Sequence, residues 1–143
     1  MIEATATVLI ERSLEDVFDY LADARNEPAW LPGAEQVAKT TPGPVGLGTS
    51  FDGRYERAGR VELKLVAFER PRAVTFRARS RIVDFDDAVE LGEEGGQTRL
   101  TATMTAQPRG LMRLFSPLMA RTMRRQFEAN WGHLKAALEQ LDR

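Results

Sequence analysis

Residues 2–10 alternate in character. Ile2, Ala4, Ala6, Val8 and Ile10 fall on one face, and Glu3, Thr5, Thr7 and Leu9 on the other. A period of two with one mostly polar face is the mark of a half-buried strand. Ser13 then precedes Leu14-Glu15-Asp16-Val17-Phe18, and Leu14, Val17, Phe18 and Leu21 recur at helical spacing. Ser13 and Asp16 fit a capping box with Asp in place of Glu. A helix is predicted over about 14–22.

Two prolines flank Ala29-Trp30-Leu31, which predicts a short helix or turn, and residues 34–41 form a weak strand. Residues 48–57 alternate again, with Phe51, Gly53 and Tyr55 opposite Ser50, Asp52 and Arg54. Ala58-Gly59 turns the chain into Val61, Leu63 and Leu65, and Pro71-Arg72 turns it into Val74, Phe76, Ala78 and Ser80. Phe85, Val89 and Leu91 oppose Asp84, Asp86 and Glu90. After the turn Glu93-Glu94-Gly95-Gly96, Leu100, Ala102, Met104 and Ala106 share one face. These are successive antiparallel hairpins with an inside and an outside.

From Gly110 the period becomes helical. Leu111, Leu114, Phe115 and Leu118 form one stripe, and Met119, Met123, Phe127, Asn130, Leu134, Leu138 and Leu141 a second, rotated one. Pro117 sits where the stripe rotates and predicts a kink or break, because proline removes a helix hydrogen bond. The long part, from about 117 to 141, would span about 37 Å. Such a stripe must lie on something, and the apolar face of the sheet is the only surface of that size.

Composition removes whole classes of chemistry. The 143 residues hold no cysteine, which excludes disulfides, thiolate metal sites and cysteine nucleophiles. The one histidine, His133, excludes a His-rich metal site. Twenty Lys and Arg balance 21 Asp and Glu, a net charge of -1, so no partnership with nucleic acid is expected. No GK[ST] or GxGxxG pattern is present among Gly43, Gly46 and Gly48. The N-terminus has no basic segment followed by an apolar one, and no apolar run approaches a membrane span, so a cytoplasmic location is expected. Neither cofactor nor metal is implied, and residues 1–143 are read as one domain.

Several segments together resemble a known superfamily. They are Ile10-Glu11-Arg12-Ser13-Leu14-Glu15-Asp16-Val17-Phe18, the Trp-containing Asn26-Glu27-Pro28-Ala29-Trp30-Leu31-Pro32-Gly33, the hairpin opening Gly46-Leu47-Gly48-Thr49-Ser50-Phe51, Gly95-Gly96-Gln97-Thr98-Arg99-Leu100, and the terminal helix. The chain is similar to the START and birch-pollen-allergen superfamily, more narrowly to the bacterial polyketide cyclase/dehydrase-like (SRPBCC) proteins. The resemblance implies an α+β helix-grip fold: a curved antiparallel sheet of about seven strands on a long C-terminal α-helix, with two short helices after strand 1. It also implies a cavity between sheet and helix that holds an apolar or aromatic small molecule.

The inward set contains Phe51, Tyr55, Leu63, Phe76, Phe85, Met104, Met119, Met123 and Phe127. Aromatics and adaptable thioethers line small-molecule pockets, and they equally fill cores. Asn130 sits within the helix stripe, where a buried amide needs a partner, either a ligand or a neighbouring group. Tyr55 can offer its hydroxyl to a ligand or carry it at a core rim. Trp30 can close the pocket mouth or anchor the sheet edge. Asp87 falls in the inward phase of its strand, as a ligand anchor or a base. However, Asp84, Asp86 and Asp87 crowd together, which favours a bulge or solvated loop. His133 reads as a surface residue.

The candidate ligand residues are therefore Trp30, Phe51, Tyr55, Phe76, Asp87, Met104, Met119, Met123, Phe127 and Asn130. The reading is a binder of a hydrophobic or aromatic small molecule. One alternative is a cyclase or dehydratase working in the same cavity. Another is a lipid carrier touching membranes through Arg109, Arg113, Arg121, Arg124 and Arg125, which no acid interrupts. A carboxylate of raised pKa in the pocket would favour the enzyme. Arginines aligned beside exposed leucines would favour the membrane.

Overall fold

In a computed structural model of the chain, which describes residues 1–141, the alternating segments form one antiparallel sheet of seven strands. They are β1 (Ile2–Ile10), β2 (Ala34–Lys39), β3 (Ser50–Tyr55), β4 (Gly59–Glu69), β5 (Ala73–Arg79), β6 (Val83–Glu94) and β7 (Gln97–Pro108). The order across the sheet is β1-β7-β6-β5-β4-β3-β2. Every neighbour from β2 to β7 is a hairpin partner, and only β1 crosses, to pair with β7.

Two short helices fill the β1–β2 connection. Ser13 caps α1 (Leu14–Ala22) by accepting from the Asp16 N–H at 3.2 Å, as the capping pattern predicts. Leu14, Val17, Phe18 and Leu21 are buried on its inner face. A 3₁₀ turn, Ala24–Asn26, leads into the single-turn α2 (Glu27–Trp30), which ends in front of the Pro32-Gly33 turn.

The C-terminal segment breaks next to Pro117. Gly110–Phe115 is a 3₁₀ helix, and α3 runs from Ser116 to Gln140 with the proline in its first turn, where its missing N–H has no partner to lose. Phe127, Trp131, Leu134 and Leu138 are buried, and each such side chain contributes about 1.5–3 kcal/mol by leaving water. Side chains of α3 also grip the outer edge of β1. Arg124 Nε donates to the Glu3 carbonyl at 2.8 Å, and Lys135 Nζ to the Leu9 carbonyl at 2.6 Å. From the end of β1, Arg12 Nη1 donates to the Leu138 carbonyl at 2.9 Å, satisfying one acceptor of the helix C-terminus.

Two expectations need correction. The stripe Leu111, Leu114, Phe115 and Leu118 does not lie on the sheet: these residues are 79%, 77%, 53% and 69% exposed. The break at Pro117 leaves the 3₁₀ helix off the sheet face, so the rotated second stripe is the covered one as far as Leu138, while Leu141 at its end is 41% exposed. Nor does a bulge or loop interrupt the acidic cluster. β6 pairs without register shift with both neighbours, so Asp87 stays in the inward phase between Phe76 of β5 and Met104 of β7.

Candidate functional site

The concave side of the sheet is not filled. A cavity of about 570 Å³ lies between β3–β7, α2 and α3. That is within the range of small-molecule sites. Leu63, Phe76, Phe85, Val89 and Met104 line it from the sheet, and Met119, Met123 and Phe127 from α3. Trp30 of α2 and Trp131 of α3 also line it, with ring centroids 5.9 Å apart, and Phe127 meets Trp131 edge to face at 5.5 Å.

Nine of the ten candidate residues lie in this wall: Trp30, Tyr55, Phe76, Asp87, Met104, Met119, Met123, Phe127 and Asn130. Phe51 does not. It is fully buried behind the wall, with its ring 6.5 Å from that of Phe76. His133 is exposed on the far side of α3.

Polar groups gather at one end. Glu27, at the start of α2, accepts a hydrogen bond from the Tyr55 hydroxyl. Tyr55 is aimed there by its own strand. Its ring folds back over Gly53, where a Cβ would sit 2.5 Å from Tyr55 Cε2. The glycine is thus the space the tyrosine occupies.

Asp87 belongs to the same group. Burial pushes its carboxyl up to about 7, with the charges of Glu27 and Asp86 adding to the effect. Burial likewise raises Glu27 to about 7, although the Tyr55 hydrogen bond opposes it. Burial, then the two carboxylates, hold the Tyr55 phenol well above its ordinary range, so it remains a donor. Two carboxyls that titrate near neutrality within reach of each other's field behave as a coupled pair.

Two buried polar atoms of this wall have no hydrogen-bond partner among the described residues: Asp87 Oδ1 and Trp131 Nε1. Such atoms cost roughly 1–3 kcal/mol each when left unpaired. Of the charged residues in the wall, Glu27, Glu56 and Asp87 are acids and Arg57 is the base. Glu56 and Arg57 sit exposed on the β3–β4 turn.

Sequence reasoning missed Glu27 and Trp131. Trp131 carried a signal, four residues after Phe127 and three before Leu134, inside the helical stripe. Glu27 carried none, because the direction of a one-turn helix is set by what it packs on. Among the described residues no cluster of three or more His, Cys, Asp or Glu could hold a metal, and no helix is long and apolar enough to cross a membrane.

Solved structures share this architecture. A hypothetical protein from Helicobacter pylori superposes with a TM-score of 0.76 at 13% identity, over 94% of this chain and 86% of its own. The crystal structure of Ara h 8.0201 gives 0.70 at 12% identity, over 95% of this chain and 96% of its own. The di-domain ARO/CYC StfQ from the steffimycin biosynthetic pathway gives 0.73 at 13%, over 97% of this chain and 51% of its own. At these identities the likeness is one of fold. No curated protein matches the sequence. Family membership rests on the sequence itself, which matches the family described as polyketide cyclase / dehydrase and lipid transport over residues 1–139. That match covers nearly the whole chain, and the chain belongs to this family.

Proposed function

We propose that the protein binds one hydrophobic or aromatic small molecule in the cavity between the sheet and α3. One observation carries the reading: a cavity of about 570 Å³ with largely apolar walls retains an unpaired carboxyl oxygen and an unpaired indole N–H in those walls. A filled core would leave neither the space nor the unpaired atoms. The apolar body of the ligand would supply most of the affinity, at about 25 cal/mol per Å² buried. Tyr55, Asp87, Asn130 and Trp131 would orient its polar end.

The test is native mass spectrometry of protein purified from its own host, followed by denaturing extraction. A stoichiometric small molecule is expected. An empty protein that also gives no thermal shift with aromatic, polyketide-like or lipid ligands would overturn the reading.

A second reading is acid–base chemistry on the bound molecule, such as cyclisation or dehydration of a polyketide-like chain. The coupled carboxyls of Glu27 and Asp87 favour it, since near neutrality one can be protonated while the other is not. Incubation with a poly-β-ketone mimic discriminates: a cyclised or dehydrated product, lost in Asp87→Asn, supports the enzyme, and unchanged ligand supports the binder. Contact with an anionic membrane has its own support. Leu118, Arg121 and Arg125 share one exposed stripe of α3 beside the exposed Leu114 and Phe115. Arg124 turns away, to the Glu3 carbonyl.

A further inference from the structure

The polar end of the cavity is unbalanced in charge. Glu27 and Asp87 face the same space from α2 and β6, and among the described residues of the wall the one basic side chain, Arg57, is out on the exposed turn. The Tyr55 hydroxyl, from β3, already donates to Glu27, and Asp87 Oδ1 accepts from nothing among the described residues. A neutral hydroxyl on a ligand could donate to one carboxyl and would bring no positive charge to the pair. A carboxylate would add a like charge beside the acidic pair, which costs binding rather than supplying it. An ammonium group carries three N–H donors and a positive charge, and so answers both carboxyls at once.

The surroundings suit a cation as well. The rings of Trp30, Phe127 and Trp131 form an aromatic cluster in the same wall, and aromatic rings attract a desolvated ammonium. Trp131 supplies an independent sign of a ligand. It is only 5% exposed, and its indole N–H has no acceptor among the described residues. A ligand that satisfies these groups together therefore brings an acceptor as well as a cation.

We propose that the cavity is a receptor for a protonated amine on an apolar or aromatic body, with the ammonium seated against Glu27 and Asp87 and an acceptor on the same molecule meeting the Trp131 indole N–H. This deepens the binding reading and rests on it.

Isothermal titration of the full chain with 2-naphthylmethylamine, 2-naphthalenemethanol and 2-naphthoate tests it, because the three share one aromatic body and differ at the polar end. The amine is expected to bind with unit stoichiometry at least about tenfold more tightly than the alcohol, and the carboxylate weakest. Asp87→Asn and Glu27→Gln should each remove most of the amine's advantage, while Glu93→Gln on the exposed surface should leave it intact. If the alcohol or the carboxylate matches or exceeds the amine, the amine assignment fails and the cavity reading stands. If none of the three binds, both fail. The wild-type ranking decides the matter even where a variant does not fold.

Discussion

Two leucine-rich stretches of the C-terminal segment meet opposite fates. Leu134 and Leu138 are fully buried, whereas Leu111 and Leu114 are more than three-quarters exposed. Both stretches show the same helical spacing, so periodicity reports which residues share a face and not whether anything covers that face. The difference arises at Pro117. Beyond it α3 crosses the concave sheet, first as the roof of the cavity through Met119, Met123 and Phe127, then as a packed core element from Trp131 onward. Before it the chain stands exposed at the rim, and directly after it Leu118 is both exposed and part of the cavity wall. One helix thus joins a fixed end to a free rim, and the cavity lies under the transition.

If that division holds, the largest effect belongs to the fixed end. Leu134→Ala should lower stability by roughly 2–5 kcal/mol, the range for a buried leucine truncated in a packed core. Chemical denaturation checks this. A loss below about 1 kcal/mol would mean that the far half of α3 is no better packed than the rim.

Next comes the polar end. Gly53→Ala would drive a methyl into the Tyr55 ring and push its hydroxyl off Glu27, at a cost of about 1–3 kcal/mol. The same variant should weaken ligand binding. An unchanged melting temperature and unchanged affinity would show that Tyr55 is not held by its partner. The isosteric loss, Tyr55→Phe, separates the hydrogen bond from the packing.

The glycine marks where the sequence was legible and where it was not. Period-two alternation placed nearly every inward residue of β3–β7, because a strand offers only two faces. The Ser13 cap and the Pro117 break were readable because both act within one turn of helix. The phase also pointed Asp87 inward, yet the acidic crowding of 84–87 suggested a bulge. The structure resolves that conflict by leaving Asp84 near Arg109, at 3.5 Å, and pairing Asp86 with Arg77 outside, so that Asp87 alone turns in. Those arginines are 25 and 9 residues away along the chain, and no local pattern reveals them. Glu27 was illegible for a similar reason: its partner Tyr55 lies 28 residues on, across a turn of the sheet.

Those inward acids give the interior a pH dependence opposite to that of the surface. Glu27 and Asp87 hold their protons to about pH 7 in the folded protein, whereas the unfolded chain releases them near pH 4. Folding therefore takes up protons between these values, and stability falls as pH rises through that window. The surface carboxylates Asp19, Asp23 and Glu94 behave the other way. Arg70, Arg25 and Arg99 depress them, so their contribution is present above the ordinary carboxylate range and lost as pH falls below it. The melting temperature should therefore be higher at pH 5.5 than at pH 8, by an amount equivalent to about 1–2 kcal/mol. Asp87→Asn with Glu27→Gln should flatten the difference. A melting temperature that rises from pH 5.5 to 8 would contradict the buried, coupled state of these acids.

The rim should yield the smallest change in stability and the largest change in association. Replacing Leu111, Leu114 and Phe115 together by Ser removes side chains that already face water, so stability should move by no more than about 0.5 kcal/mol per site. What they do instead depends on their company. Arg113, Arg121 and Arg125 flank them, and no acid occurs between Arg109 and Phe127. If this rim meets an anionic bilayer, sedimentation with phosphatidylglycerol vesicles should pull down the wild type at low salt. Serine replacement should release it, as should Gln at the three arginines, while neutral phosphatidylcholine vesicles should retain little. If both kinds of variant sediment as the wild type does, the exposed leucines are not a membrane contact. A serine variant that loses several kcal/mol would go further: it would show the rim to be packed in solution, and the contrast between the two halves of the C-terminal segment would disappear.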